Sequence, residues 1–70
     1  MKYVGVKQVL KGIELGDVKL VYVGDDAEKH VTEALIKLCK EKNIELKHIK
    51  TMEELGKLAG IEVKSAAAAE

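Results

Sequence analysis

Val6, Val9, Leu10 and Ile13 recur at i, i+3, i+4 and i+7, which lines one face of a helix. The preceding KYVG reads as a short strand, and Gly16 stands where a helix ends on a left-handed residue. Val18 to Val23 (VKLVYV) alternates only in part and predicts a strand buried on both sides. GDD then turns the chain, with Asp25 and Glu28 at the spacing of a capping box. The next helix, roughly Glu28 to Lys42, carries the clearest stripe: Val31, Ala34, Leu35, Leu38 and Cys39. Lysines gather at its end, where the helix dipole is negative. IELKHIK predicts a strand with Ile44, Leu46 and Ile49 turned inward. Thr51 and Glu54 form a second capping box, ahead of a helix with the stripe Met52, Leu55, Leu58 and Ala59. Gly60 ends that helix. Gly56 inside it costs about 1 kcal/mol relative to alanine, which points to close packing.

IEVKSAAAAE predicts a loop and then an alanine tract that the pattern leaves open. Alanine favours helix, and a last sheet strand is the other option. The order β-α-β-α-β-α, with or without that strand, places the chain in the α/β class. The architecture expected is an α-β-α layered sandwich around a small, central mixed sheet. At 70 residues the chain reads as one domain, residues 1–70, with a modest core.

Composition narrows the function classes. One cysteine excludes an internal disulfide and a two-cysteine metal clasp. No apolar run spans a bilayer, and the start lacks the apolar region of a signal peptide, so a cytoplasmic protein is expected. The 12 lysines balance the 12 acidic residues, and there is no arginine. A neutral chain does not advertise a nucleic-acid binder, although a local basic patch is what counts. Tyr3 and Tyr22 are the only aromatics, which argues against a base-stacking platform of the single-strand-binding type.

Catalytic patterns are missing. No Ser-His or Cys-His arrangement is visible, GIELG lacks dinucleotide-fingerprint spacing, and His30 and His48 have no partners at ligand spacing. Cys39 falls on a buried stripe and reads as inert core. Asp25 and Asp26 follow a strand, as in Mg²⁺-binding phosphoacceptor domains. A turn with a helix cap accounts for them better. No enzyme is expected, and no cofactor.

One feature stands out against this background. The helix after Gly5 begins with Lys7, Gln8 and Lys11, where a merely soluble helix would carry acids to suit its dipole. Taken alone, Lys7 and Lys11 read as solvated charge, and Ile61 and Val63 as core or a hydrophobic helix-end contact.

Four stretches change those odds. GVKQVLKGIELG, VKLVYVGDDAE, LCKEKNIEL and ELGKLAGIEVKSAAAA resemble, in uninterrupted order, the kink-turn-binding ribosomal protein family of the L-seven-Ae type. The small bacterial members, with their Gly-x-Lys-Gln helix start, are the most similar. Relative to that family the chain is shortened at its N-terminus. Val6 and Leu15 replace residues that are commonly polar and basic.

The resemblance implies an RNA-binding protein that recognises and stabilises kink-turns: bent RNA helices with tandem G·A pairs and an extruded bulge base. Gly5, Lys7, Gln8 and Lys11 match the family's guanine- and phosphate-contacting residues. Ile61 and Val63 match an apolar shelf under the extruded base, with Glu62 and Lys64 beside sugar or phosphate. Lys57, on the third helix, would lie away from that surface. The partner implied is a structured RNA with a kink-turn, in rRNA or an mRNA leader, bound by a cytoplasmic monomer within a ribosomal or ribosome-associated ribonucleoprotein. The alternative is a protein-interaction or simplified scaffold domain of the same fold that has lost RNA binding.

Overall fold

The computed structural model describes residues 1–70. Its elements are β1 (Tyr3–Val4), α1 (Val6–Glu14), β2 (Leu20–Gly24), α2 (Lys29–Lys42), β3 (Glu45–Ile49), α3 (Met52–Leu58) and β4 (Ala67–Ala69). The strands form one sheet in the order β1-β4-β2-β3. β2 and β3 run parallel, with Val21 opposite Leu46, and α2 makes the crossover between them. β4 is antiparallel to β1 and to β2. The sheet is therefore mixed, as expected.

The alanine tract is a strand. Ala67, Ala68 and Ala69 are fully buried between β1 and β2. Hydrogen bonding on both edges of a central strand overrides alanine's preference for helix, and helices over both faces leave room only for small side chains. Val21, Val23, Ala67 and Ala69 face one layer, where Val9 and Ile13 of α1 and Leu35 and Cys39 of α2 close over them. α3 covers the other face. Its Leu55 is fully buried, and Met52 sits so close to Gly24 that a Cβ there would lie 2.8 Å from the Met52 Cγ. The three layers match the expected sandwich.

The helical stripes are narrower than the sequence pattern suggests. Leu10, Ala34 and Leu58 are exposed. The flanking apolar positions Val6, Val31 and Leu38 pack on the core only in part, and those beyond them face solvent. On α1 the buried strip passes through Gly12, where a Cβ would lie 2.6 Å from the ring of Tyr3. Val18 is buried but lies outside β2, which begins at Leu20.

Helix ends follow the expectations in part. Thr51 Oγ1 accepts from the Glu54 N–H at 3.0 Å, as a capping residue should. Gly16 and Gly60 take positive φ just past α1 and α3. The Asp25–Glu28 capping box does not form. Glu28 itself holds the N-cap position of α2, without a side-chain bond. The Asp25 N–H donates to the Ile49 carbonyl, which swings the turn toward β3. Asp25 Oδ1 then lies 2.7 Å from His48 Nδ1, and Asp26 Oδ1 accepts from the Met52 N–H at 2.8 Å, capping α3 instead.

Strand directions bring several segments to one end of the sheet. The carboxyl ends of β1, β2 and β3 meet the amino end of β4 there. Gly5 N–H donates to Ala67 O at 2.8 Å and Gly24 N–H to Ala66 O at 2.9 Å. The start of α1 and the loop that leads into β4 therefore emerge side by side.

Candidate nucleic-acid interface

Gly5 joins β1 to α1 at φ 96°, ψ 152°, a backbone region nearly closed to residues with a side chain. A Cβ at Gly5 would meet nothing within 4 Å, so the space beside the helix start is open. No side chain caps α1, its first turn holds no acid, and the Val6, Lys7 and Gln8 N–H groups have no partner. Such a start favours an anion. Lys7, Gln8 and Lys11 are exposed next to it, and neither lysine has an ion-pair partner. Leu10 and Leu15, also exposed, flank Lys11.

The loop Ile61–Lys64 emerges at the same sheet end. Ile61 is half-buried, while Glu62, Val63 and Lys64 are exposed. Val63 is 69% exposed, which makes it an apolar surface rather than core. Together with Glu53 and Lys57 of α3, the four loop residues line an open groove of about 520 Å³. Lys57 thus lies beside the loop, contrary to the expectation that it would lie away from that surface. α3 ends with Ile61 N–H donating to Gly56 O and Gly60 N–H to Lys57 O, and this folds the loop back along the helix that carries Lys57. A weak contact of 3.9 Å links Lys57 to Glu53.

A residue that the sequence did not single out joins the halves. Ser65, a buried polar residue, donates from Oγ to Ala67 O at 2.7 Å. That oxygen also accepts from Gly5 N–H. One carbonyl thus ties the loop to the start of α1. Only the serine directly ahead of the alanine tract hinted at this, since serine hydroxyls commonly bond to backbone two residues away.

Other polar groups serve the scaffold. Asp17 accepts from Lys2 Nζ at 3.0 Å and from Tyr3 O–H at 2.9 Å, fastening β1 to the chain after α1. The Lys2 bond, then the Tyr3 bond, holds the Asp17 carboxyl below its ordinary range, and the same contacts raise Lys2 and Tyr3. Burial pushes the Cys39 thiol up, as suits an inert core residue. His48 pairs with the Asp25 carboxylate alone, so neither belongs to a ligand cluster. No group of three His, Cys, Asp or Glu side chains could hold a metal ion. No helix is long and apolar enough to cross a membrane.

With this arrangement in view, the pattern of the ribosomal protein L7Ae/L30e/S12e/Gadd45 family matches residues 3–70. The chain belongs to this family. It is 44% identical over 69 residues to an RNA-binding protein of Caldanaerobacter subterraneus, covering 99% of this chain and 84% of that one. It is 41% identical over 66 residues to the large ribosomal subunit protein eL8 of Halobacterium salinarum. That match covers 93% of this chain but 55% of eL8. The Giardia lamblia 15.5kD RNA binding protein has the same fold, with a TM-score of 0.85 over 94% of this chain and 56% of that one, at 24% identity. These L7Ae-type names are those of RNA-binding and ribosomal proteins, not of enzymes.

Proposed function

We propose that the chain binds structured RNA and recognises and stabilises the kink-turn, as a monomer in a cytoplasmic ribosomal or ribosome-associated ribonucleoprotein. The observation that carries this reading is the meeting, at one sheet end, of an uncapped, lysine-bearing helix start and an exposed apolar loop, both bonded to Ala67 O. Regular A-form RNA hides its major-groove edges, so sequence is read at loops and bulges. A kinked internal loop exposes guanine O6 and N7. Lysine donates to these acceptors, and an amide both donates and accepts.

In this reading Lys7, Gln8 and Lys11 contact guanine edges and the adjoining phosphates. Gly5 opens the helix start to the backbone of the RNA. Ile61 and Val63 form the shelf for the extruded base, and Glu62 and Lys64 reach its sugar or phosphate. The RNA would be an rRNA segment or an mRNA leader. The chain performs no chemistry and needs no cofactor. It binds the kinked form and thereby raises that form's share of the population.

Fluorescence transfer between dyes on the two helical arms of a kink-turn RNA tests this directly. Adding protein at low Mg²⁺ should convert a low-transfer, extended population into a high-transfer, kinked one. Unchanged transfer at saturating protein would reject kink stabilisation and favour the scaffold reading.

A further inference from the structure

The loop Ile61–Lys64 is short, and Glu62, Val63 and Lys64 in it are exposed. Its backbone is nevertheless fixed at three points. At its start, Ile61 N–H donates to Gly56 O at 3.0 Å. At its end, Ser65 N–H donates to Met52 O at 3.0 Å, and Ser65 Oγ to Ala67 O at 2.7 Å. Between them the loop lies directly on α3 at Gly56. A Cβ there would collide with the Val63 carbonyl oxygen and approach Val63 C to 3.0 Å and Lys64 Cα to 3.2 Å. All three are backbone atoms, which cannot swing aside as a side-chain tip can. Gly56 is itself buried, so an added methyl group has no other direction to take.

From this geometry we infer that Gly56 and Ser65 are positioning residues for RNA recognition: they hold the Val63 ledge pre-formed and aimed outward before any base arrives. Both residues are buried and so are not placed to touch the RNA themselves. Gly56 sets how closely the loop sits on α3, and Ser65 sets where it joins β4. The inference rests on the functional reading above and adds the residues that make the ledge rigid. A ledge ordered in advance loses less conformational entropy on binding, so its loosening weakens affinity without removing any contact. Ser65 is the cleaner handle. Ala67 O keeps its bond from Gly5 when the serine hydroxyl is removed, so the lysine-bearing helix start stays where it is.

The test compares wild type, Ser65→Ala and Gly56→Ala on two RNAs, by equilibrium binding. One RNA is an intact kink-turn. The other is the same molecule with an abasic site in place of the extruded base. Wild type should bind the intact RNA more tightly. Ser65→Ala should lose roughly 3- to 10-fold on the intact RNA, the worth of about one hydrogen bond, Gly56→Ala should lose at least as much, and both should bind the abasic RNA as wild type does, within about twofold. Equal losses on both RNAs would mean that the substitutions act through general stability, and would overturn the inference. So would full affinity for both. If Gly56→Ala does not fold, Ser65→Ala decides alone. A wild type that ignores the abasic site, or binds neither RNA, would instead overturn the shelf or the RNA-binding reading itself, and the inference with it.

Discussion

Gly5 and Ser65 donate to the same acceptor, the carbonyl oxygen of Ala67, at 2.8 and 2.7 Å. Gly5 opens the helix that carries Lys7, Gln8 and Lys11, and Ser65 closes the loop that carries Ile61 and Val63. A buried carbonyl has two lone pairs, and here each is used to anchor one half of a surface. The small residue at position 67 matters less for its side chain than for the place of its backbone, at the mouth of a central strand.

Val63 gives the sharpest separation between fold and binding. Because it is 69% exposed, Val63→Asp should leave stability within about 0.5 kcal/mol of wild type. RNA affinity should fall by roughly 1 to 3 kcal/mol, by analogy with losses of base stacking, since a carboxylate there removes apolar contact and repels phosphate. Thermal unfolding and RNA titration on the same sample check both halves. A large loss of stability with unchanged affinity of the folded fraction would show that Val63 is not a shelf.

Lys11→Ala should weaken binding by about 1 to 3 kcal/mol, the range for a good base-edge contact. The control is Lys42, at the end of α2 and hence at the opposite end of the sheet. Lys42→Ala should change affinity little. Similar losses from both would point to nonspecific attraction between lysines and phosphate.

Salt dependence should be shallow. The lysines near the proposed surface are Lys7, Lys11, Lys57 and Lys64, in a chain of zero net charge. A fit of log affinity against log salt should correspond to about two to four neutralised phosphates. A slope typical of a strongly basic protein would place the RNA on a different or wider face.

The Asp17 junction predicts how stability varies with pH. Lys2 and Tyr3 hold the Asp17 carboxyl below its ordinary range, so the ionised form is the one favoured by folding. Its contribution is present above the unfolded-state value and is lost as pH falls through the folded one. The difference in Tm between wild type and Asp17→Asn should therefore be largest near neutral pH and shrink below about pH 4. Lys2 and Tyr3 are raised, so their contributions hold below their ordinary values and fade only above about pH 10. A Tm difference that stays constant from pH 7 to pH 2 would contradict this account of the junction.

The element order and the helix ends at Gly16 and Gly60 were legible because periodicity and turn chemistry are local signals. The alanine tract was ambiguous because propensity speaks for helix, while pairing on both edges is a long-range fact that no window of sequence contains. The turn at Asp25 and Asp26 formed as expected, but the capping role of Asp25 was misread for a related reason. Capping spacing pointed to α2, but the turn folds toward β3 and α3, and the carboxylates bond there. Position in the site followed the same divide. Lys7, Gln8 and Lys11 were visible as an anomaly in a helix start. Lys57 entered the groove, and Ser65 the junction, only through the way the chain folds back.

The central claim is that this surface selects a kinked RNA rather than RNA in general. Its most direct test is the affinity of wild type for a kink-turn RNA, measured against the same RNA with its tandem G·A pairs replaced by Watson–Crick pairs, at one salt concentration. Two altered pairs at roughly 1 to 3 kcal/mol each imply a preference of about 30-fold or more for the intact kink-turn. Equal affinity for the two RNAs would contradict the claim.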